Sequence, residues 1–183
     1  MKKFIILVLA LVSVVNAQKI NWDIVDEKLG YTPDIETLNG LIFKYVNDYR
    51  KVNGLDRLKY DDSAYPIIHK QVNYCYNRLK LSHDRNYLDE NDLISDFHAH
   101  VNKYLGASYD IANENLGSVS HPNIEEYTYD ELAYSIFNGW KTSSSHNAAM
   151  LVTKHEKASV ASIIIINRGD SIDRIYSGII IWH

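Results

Sequence analysis

The chain has 183 residues, with 19 Lys and Arg against 23 Asp and Glu, for a formal charge of −4. A mildly acidic chain has no electrostatic reason to seek nucleic acid or an anionic membrane surface, so neither is an expected partner. Cys75 is the only cysteine, which excludes an internal disulfide and leaves stability to the core.

The first residues divide as an export signal does. Lys2 and Lys3 form a positive start, Phe4 to Val15 is apolar, and Val15-Asn16-Ala17 ends on small residues. The apolar run of about 12 residues is short for a bilayer span, which needs roughly 20. An uncleaved anchor is the competing reading. No cysteine follows the run, which argues against a lipoprotein anchor. The expectation is a signal over residues 1–17, a mature chain from Gln18 that is secreted or periplasmic, and no transmembrane segment after processing. Removing Lys2 and Lys3 takes the formal charge from −4 to −6.

Residues 18–34 form a lead-in without clear periodicity, and residues 35–183 read as one domain. Leu38, Leu41, Ile42, Tyr45, Val46 and Tyr49 share one helical face, with Asp34 at the start and Gly54 past the end. A second helix is expected over 63–79, with Pro66 in its first turn and Ile68, Val72, Cys75, Tyr76 and Leu79 inward. Cys75, between Tyr74 and Tyr76, reads as a buried thiol packing as a small hydrophobe. A third helix is expected over 92–105, followed by short extended pieces around Asn113-Glu114-Asn115. Thr128-x-x-Glu131 is a capping box opening a helix whose face is Leu132, Ala133, Ile136, Phe137 and Trp140. Lys141 to Ser145 breaks that helix. Val160 to Ile166 and Ile175 to Trp182 are β-branched runs around the turn at 167–171, and read as a hairpin with both faces covered.

Common catalytic signatures are absent: no G-x-S-x-G elbow and no phosphate-binding glycine loop. His155-Glu156 begins like a zincin helix, but Ser159 stands where the second histidine belongs. His98 and His100 lie two apart on the third helix, do not face each other, and read as solvated.

Three segments carry more when taken in order. They are Asn47-x-Tyr49-Arg50 with Gly54-Leu55-x-x-Leu58-x-Tyr60-Asp61, then Asn113-Glu114-Asn115-Leu116-Gly117, then Trp140-x-x-Ser143-x-x-His146-Asn147-x-x-Met150-Leu151. Their order and spacing resemble the CAP superfamily (cysteine-rich secretory, antigen 5 and pathogenesis-related 1 proteins) in a cysteine-poor bacterial form, over residues 35–182. The resemblance implies an α+β fold, a three-layer α-β-α sandwich with a central, mainly antiparallel sheet and a cleft. It also implies a cleft site of two histidines and two glutamates that in some members holds a divalent metal. His83 and His146 match the histidines and Glu114 the first glutamate. Ser143 stands where the second acid is usual, and Asn113 replaces a glycine.

Three chemistries are compatible with this set. His83, Glu114 and His146 can be hydrogen-bond bridges in a rigid cleft, ligands of a loosely held divalent metal such as zinc, or partners of a nucleophilic Ser143 or Ser145. The departures from the family pattern favour an exported, non-catalytic binding module that requires no cofactor. Its cleft, with His83, Glu114, His146 and Ser143, would hold a small molecule, a lipid or a cell-envelope component. The alternative is a metal-assisted hydrolase, which lacks a spare carboxylate to activate water once Glu114 is a ligand.

Overall fold

The computed structural model describes residues 33–84, 97, 101, 105, 112–166 and 173–183. The export signal, most of the lead-in, most of the 92–105 helix including His98 and His100, and the 167–171 turn lie outside the described residues. Phe97, Val101 and Leu105 are helical, and Val101 is buried.

Helix α1, Ile35–Val52, starts where its cap predicts: the Asp34 carboxylate accepts the Thr37 amide at 2.9 Å. Glu36 sits in its first turn, and Arg50 and Lys51 in its last. The helix buries Leu38, Leu41, Ile42 and Val46. Gly54, at φ +74°, supplies the left-handed residue just past its end. Strand β1, Lys59–Tyr60, leads into a 3-10 turn over Asp62–Ala64 and helix α2, Tyr65–Arg78. Ile67, Ile68, Gln71, Val72 and Cys75 are buried on α2. Leu79 departs from the sequence reading. It lies past the helix in the left-handed region at φ 50° and is 58% exposed, because the chain turns there toward the segment carrying His83.

Strand β2 runs unbroken over Ala112–His121, where the sequence suggested only short extended pieces. Its residues are too polar to show a strand pattern, but a neighbour pairs with all ten of them. Helix α3, Tyr129–Thr142, opens with the expected capping box, both halves of it formed. Helix α4, Ser144–Met150, follows after Ser143 alone. Strands β3, Lys157–Ile165, and β4, Asp173–Trp182, pair antiparallel as the predicted hairpin.

The sheet order is β1-β3-β4-β2, with β1 parallel to β3 and the other pairs antiparallel. Helices α1 and α3 pack on one face, over Ile175, Ile179 and Ile181; α2 packs on the other, over Tyr176, Ile180 and Trp182. The strand period of two makes β4 apolar on both sides, which is why its sequence does not alternate. The result is the expected three-layer α-β-α sandwich with a mainly antiparallel centre.

The Asn47 and Arg50 positions of the first sequence segment are staples. Asn47 accepts the Leu58 amide at 2.7 Å and donates to the Leu58 carbonyl at 3.2 Å. Arg50 is fully buried and its guanidinium donates to the carbonyls of Asp56, Met150, Val152 and His155 at 2.8–3.1 Å. Burial pulls its pKa below the usual arginine value. These bonds fix the chain after α4 against the end of α1, and so fix where α4 and His146 stand.

Candidate functional site

Strand β2 is the edge next to the cleft. Ala112, Glu114 and Leu116 face α2, while Asn115, Gly117 and Val119 face α3. Glu114 lies opposite Ile180 in the ladder. Its side chain is only 3% exposed and its Oε1 sits 2.9 Å from Nδ1 of His83, whose own side chain is 58% exposed. A buried carboxylate bonded to one ring nitrogen favours the tautomer with the proton on Nδ1 and the lone pair on Nε2.

His83 has no helix or strand to hold it, and α2 takes that role. The fully buried Gln71 donates through Nε2 to the carbonyls of Ser82 and Asp84, the latter at 3.2 Å. The Cys75 thiol donates to the Ser82 carbonyl at 3.4 Å. Cys75 is thus a buried thiol, as read from the sequence, with a further bond that positions the histidine segment.

His146 stands on the short α4. Asn115 donates to its carbonyl at 3.0 Å and Tyr49 donates to the side chain of Asn147 at 3.1 Å, tying α4 to β2 and to α1. The His146 ring is half-buried, and its centroid lies 6.5 Å from that of His83. Burial, and then the charge of His83, lower its pKa below the ordinary histidine value and so favour the neutral ring.

The structure therefore brings His83, Glu114 and His146 side by side from three separate segments. Ser143 lines the same groove as His146. It is the N-cap residue of α4 but its side chain caps nothing; its hydroxyl is 3.3 Å from that of Ser145. Neither serine hydroxyl bonds to His146 among the described residues, which gives no support to the nucleophilic-serine reading.

Among the described residues no group of three or more His, Cys, Asp and Glu is placed to hold an ion. Glu114 is engaged on His83 Nδ1, Ser143 is neutral, and no second carboxylate is grouped with the two imidazoles among the described residues.

Beside this trio runs a groove of about 250 Å³, walled by Leu81, Leu116, Ile136 and Trp140, with Ser143 and His146 at its polar rim. Gly117 is required in its wall, because a Cβ there would stand 2.9 Å from Trp140 Nε1. Trp140 Nε1 and Asn115 Oδ1 are both buried with no hydrogen-bond partner among the described residues. Gly139 also lines the groove, and a Cβ there would enter open space.

Sequence reasoning missed Gln71, and named Asn115 without its role; their hydrogen bonds cross between elements and leave no periodic signal. His155 is accounted for otherwise than as a ligand. It is 2% exposed, Asn113 Nδ2 lies 2.8 Å from its Nε2, and burial, with Arg50 and His183 adding, pushes its pKa down to about 4. No helix among the described residues is long and apolar enough to cross a membrane.

Comparison with known proteins agrees with this architecture. The profile of the cysteine-rich secretory protein family, CAP, matches residues 43–164. An extracellular SCP-domain protein from Bacillus anthracis superposes with a TM-score of 0.56 at 16% identity, over 81% of this chain and 41% of that one. An outer surface protein from Borrelia burgdorferi gives 0.54 at 17% identity, over 78% and 90%. A cysteine-rich secretory protein from Staphylococcus aureus gives 0.52 at 15% identity, over 82% and 40%. The chain thus spans about two fifths of the Bacillus and Staphylococcus proteins. No curated protein matches the sequence. With a family profile covering most of the ordered core, and the sandwich and cleft in place, the chain belongs to the CAP, or cysteine-rich secretory, protein family.

Proposed function

We propose that this chain is an exported, non-catalytic binding module whose cleft holds the apolar part of a small molecule, a lipid or a cell-envelope component. The observation that carries this is the groove itself, with four apolar wall residues, the buried Trp140 among them, and a polar rim of Ser143 and His146. Such a lining suits a ligand that buries an apolar group and orients it with one or two hydrogen bonds. At about 250 Å³ the space takes an acyl segment or one small ring, not a whole sterol. The export-signal pattern of residues 1–17 supports the extracellular or periplasmic side of the reading.

One observation favours a second reading. The Glu114–His83 pair is the arrangement in which a carboxylate orients an imidazole so that Nε2 can act as a base. A hydrolase would then draw on this pair to activate water, without a metal. The apolar groove beside the pair, with the neutral Ser143 where the family's second acid is usual, makes binding the preferred function.

The test is titration of the mature chain with a short-chain fatty acid, followed through tryptophan fluorescence, with Trp140→Phe as the control for the reporter. Saturable quenching that Gly139→Leu abolishes supports binding in the groove. Absence of binding, or turnover of a p-nitrophenyl ester that His83→Ala and Glu114→Gln both remove, would replace it with the hydrolase.

A further inference from the structure

The edge of the sheet opposite the cleft is incomplete. Strand β1 pairs only with Lys157 and Ala158 of β3. From Ser159 to Ile165 no strand among the described residues covers that side of β3. Ala158 accepts the Asp61 amide toward β1 at 3.0 Å. Backbone groups alternate sides along a strand, so the amides of Ser162 and Ile164 point to the same open side, while those of Ala161 and Ile163 face β4.

The side chains are open there too. Ala158 to Ser162 are buried, but Ile163, Ile164, Ile165 and Ile166 are only half-buried. The sequence read this run as a strand covered on both faces. The four isoleucines share a groove of about 310 Å³ with Pro33 and with Asn73 and Tyr76 of α2. Neighbouring strand residues point to opposite faces, so a groove lined by all four lies on the strand's edge itself. An open edge of this kind is a template for pairing with another chain, and folded proteins blunt or cover it. No charge or proline lies between Ser159 and Ile166 to blunt it.

The occupant is indicated by where the described chain begins. Pro33 is its first residue and already lines the groove. The lead-in as a whole shows no period, but Ile20, Trp22 and Ile24 alternate with Asn21 and Asp23, the pattern of a strand with one buried face. From Ala158 to Ile166 the edge is about 26 Å long. Residues 25–32, extended, reach about 26–29 Å from Pro33, so Ile20–Ile24 can lie anywhere along it. The 92–105 helix is a poorer occupant: Phe97, Val101 and Leu105 pack with the cluster on the α2 face, and a helix cannot complete a backbone ladder.

We propose that the lead-in of the mature chain docks on this edge, with Ile20–Ile24 pairing as a further strand beside β3 and its apolar row, led by Trp22, filling the groove. The segment behind the export signal is thus part of the domain and closes its sheet against edge-to-edge association. The edge lies on the far side of β4 from the cleft strand β2, so this proposal stands or falls separately from the cleft's function.

Hydrogen exchange of the mature chain, read amide by amide by NMR, tests it. The Ser162 and Ile164 amides should exchange at least about tenfold slower than in an unstructured chain. Trp22→Ser empties the groove, and the double substitution Trp22→Pro with Asp23→Pro removes a ladder donor in either register. Each should speed exchange at Ser162 and Ile164 about tenfold or more, while Ala161 and Ile163, facing β4, stay protected and report an intact sheet. Free exchange at Ser162 and Ile164 in the wild type, which needs no variant to observe, would overturn the proposal. So would protection that neither variant changes, which would give the edge to another segment. Protection that rises with protein concentration would give it to a second copy and overturn it equally.

Discussion

Replacing Arg50 by methionine tests the account of how the cleft is held. Arg50 donates to four carbonyls, and the bonds to Met150 and His155 are buried while those to Asp56 and Val152 are partly open. Water can replace the guanidinium at the open pair, so those losses are small. Each buried, charge-assisted bond is worth about 1.5–3 kcal/mol, giving about 3–6 kcal/mol for the two. Methionine also relieves the cost of burying a cation, which offsets part of this, as the lowered Arg50 pKa indicates. The net expectation is about 3–4 kcal/mol of lost stability, or a melting point lower by about 6–16 °C for a domain of this size. Arg50→Lys should recover little of it, because an ammonium cannot present the planar fork that reaches four carbonyls. Urea denaturation of the mature chain, with slopes compared to establish two-state behaviour, measures the loss. A loss under about 1 kcal/mol for Arg50→Met would refute the reasoning, since the staple would then be ornamental.

Four further outcomes are expected. His155 has its folded pKa depressed to about 4 against 6.5 for the ordinary group, so its contribution is full above pH 6.5 and is lost as pH falls toward 4. That contribution is about 2–4 kcal/mol, and His155→Gln should flatten the stability–pH curve over this window in denaturant titrations. Gly117→Ala places a Cβ 2.9 Å from the Trp140 indole nitrogen and should cost about 1–3 kcal/mol, together with a change in Trp140 emission. Zinc should bind the wild type loosely if at all; Ser143→Glu should tighten it by restoring an anion, and calorimetry showing tight wild-type binding would contradict the site as described. Intact-mass analysis of exported protein should show a chain starting at Gln18; a mass retaining Lys2 and Lys3 would contradict the signal reading.

The local sequence determined whatever depends on neighbours along the chain. The Asp34 cap, the Thr128–Glu131 capping box, the apolar faces of α1 and α3, and the β3–β4 hairpin were legible because spacing of 3.6 or continuous β-branched runs encode them directly. The resemblance to the family named His83, Glu114 and His146, and Asn47 and Arg50, without saying what they touch. Strand β2 was obscured because most of its side chains are polar and break the apolar alternation of a half-buried strand; only pairing with β4 makes it a strand. Leu79 looked like one more apolar position until the left-handed turn carried it into solvent. Gln71 under His83, Asn115 under His146, and Gly117 against Trp140 are contacts between residues 11 to 31 positions apart, made by side chains with no periodic signature. Hydrogen bonds across elements depend on distances and angles that exist only after the layers have packed. The sequence therefore determined the elements and their caps, while tertiary packing alone decided which polar groups share the cleft and which lie against the far edge of the sheet.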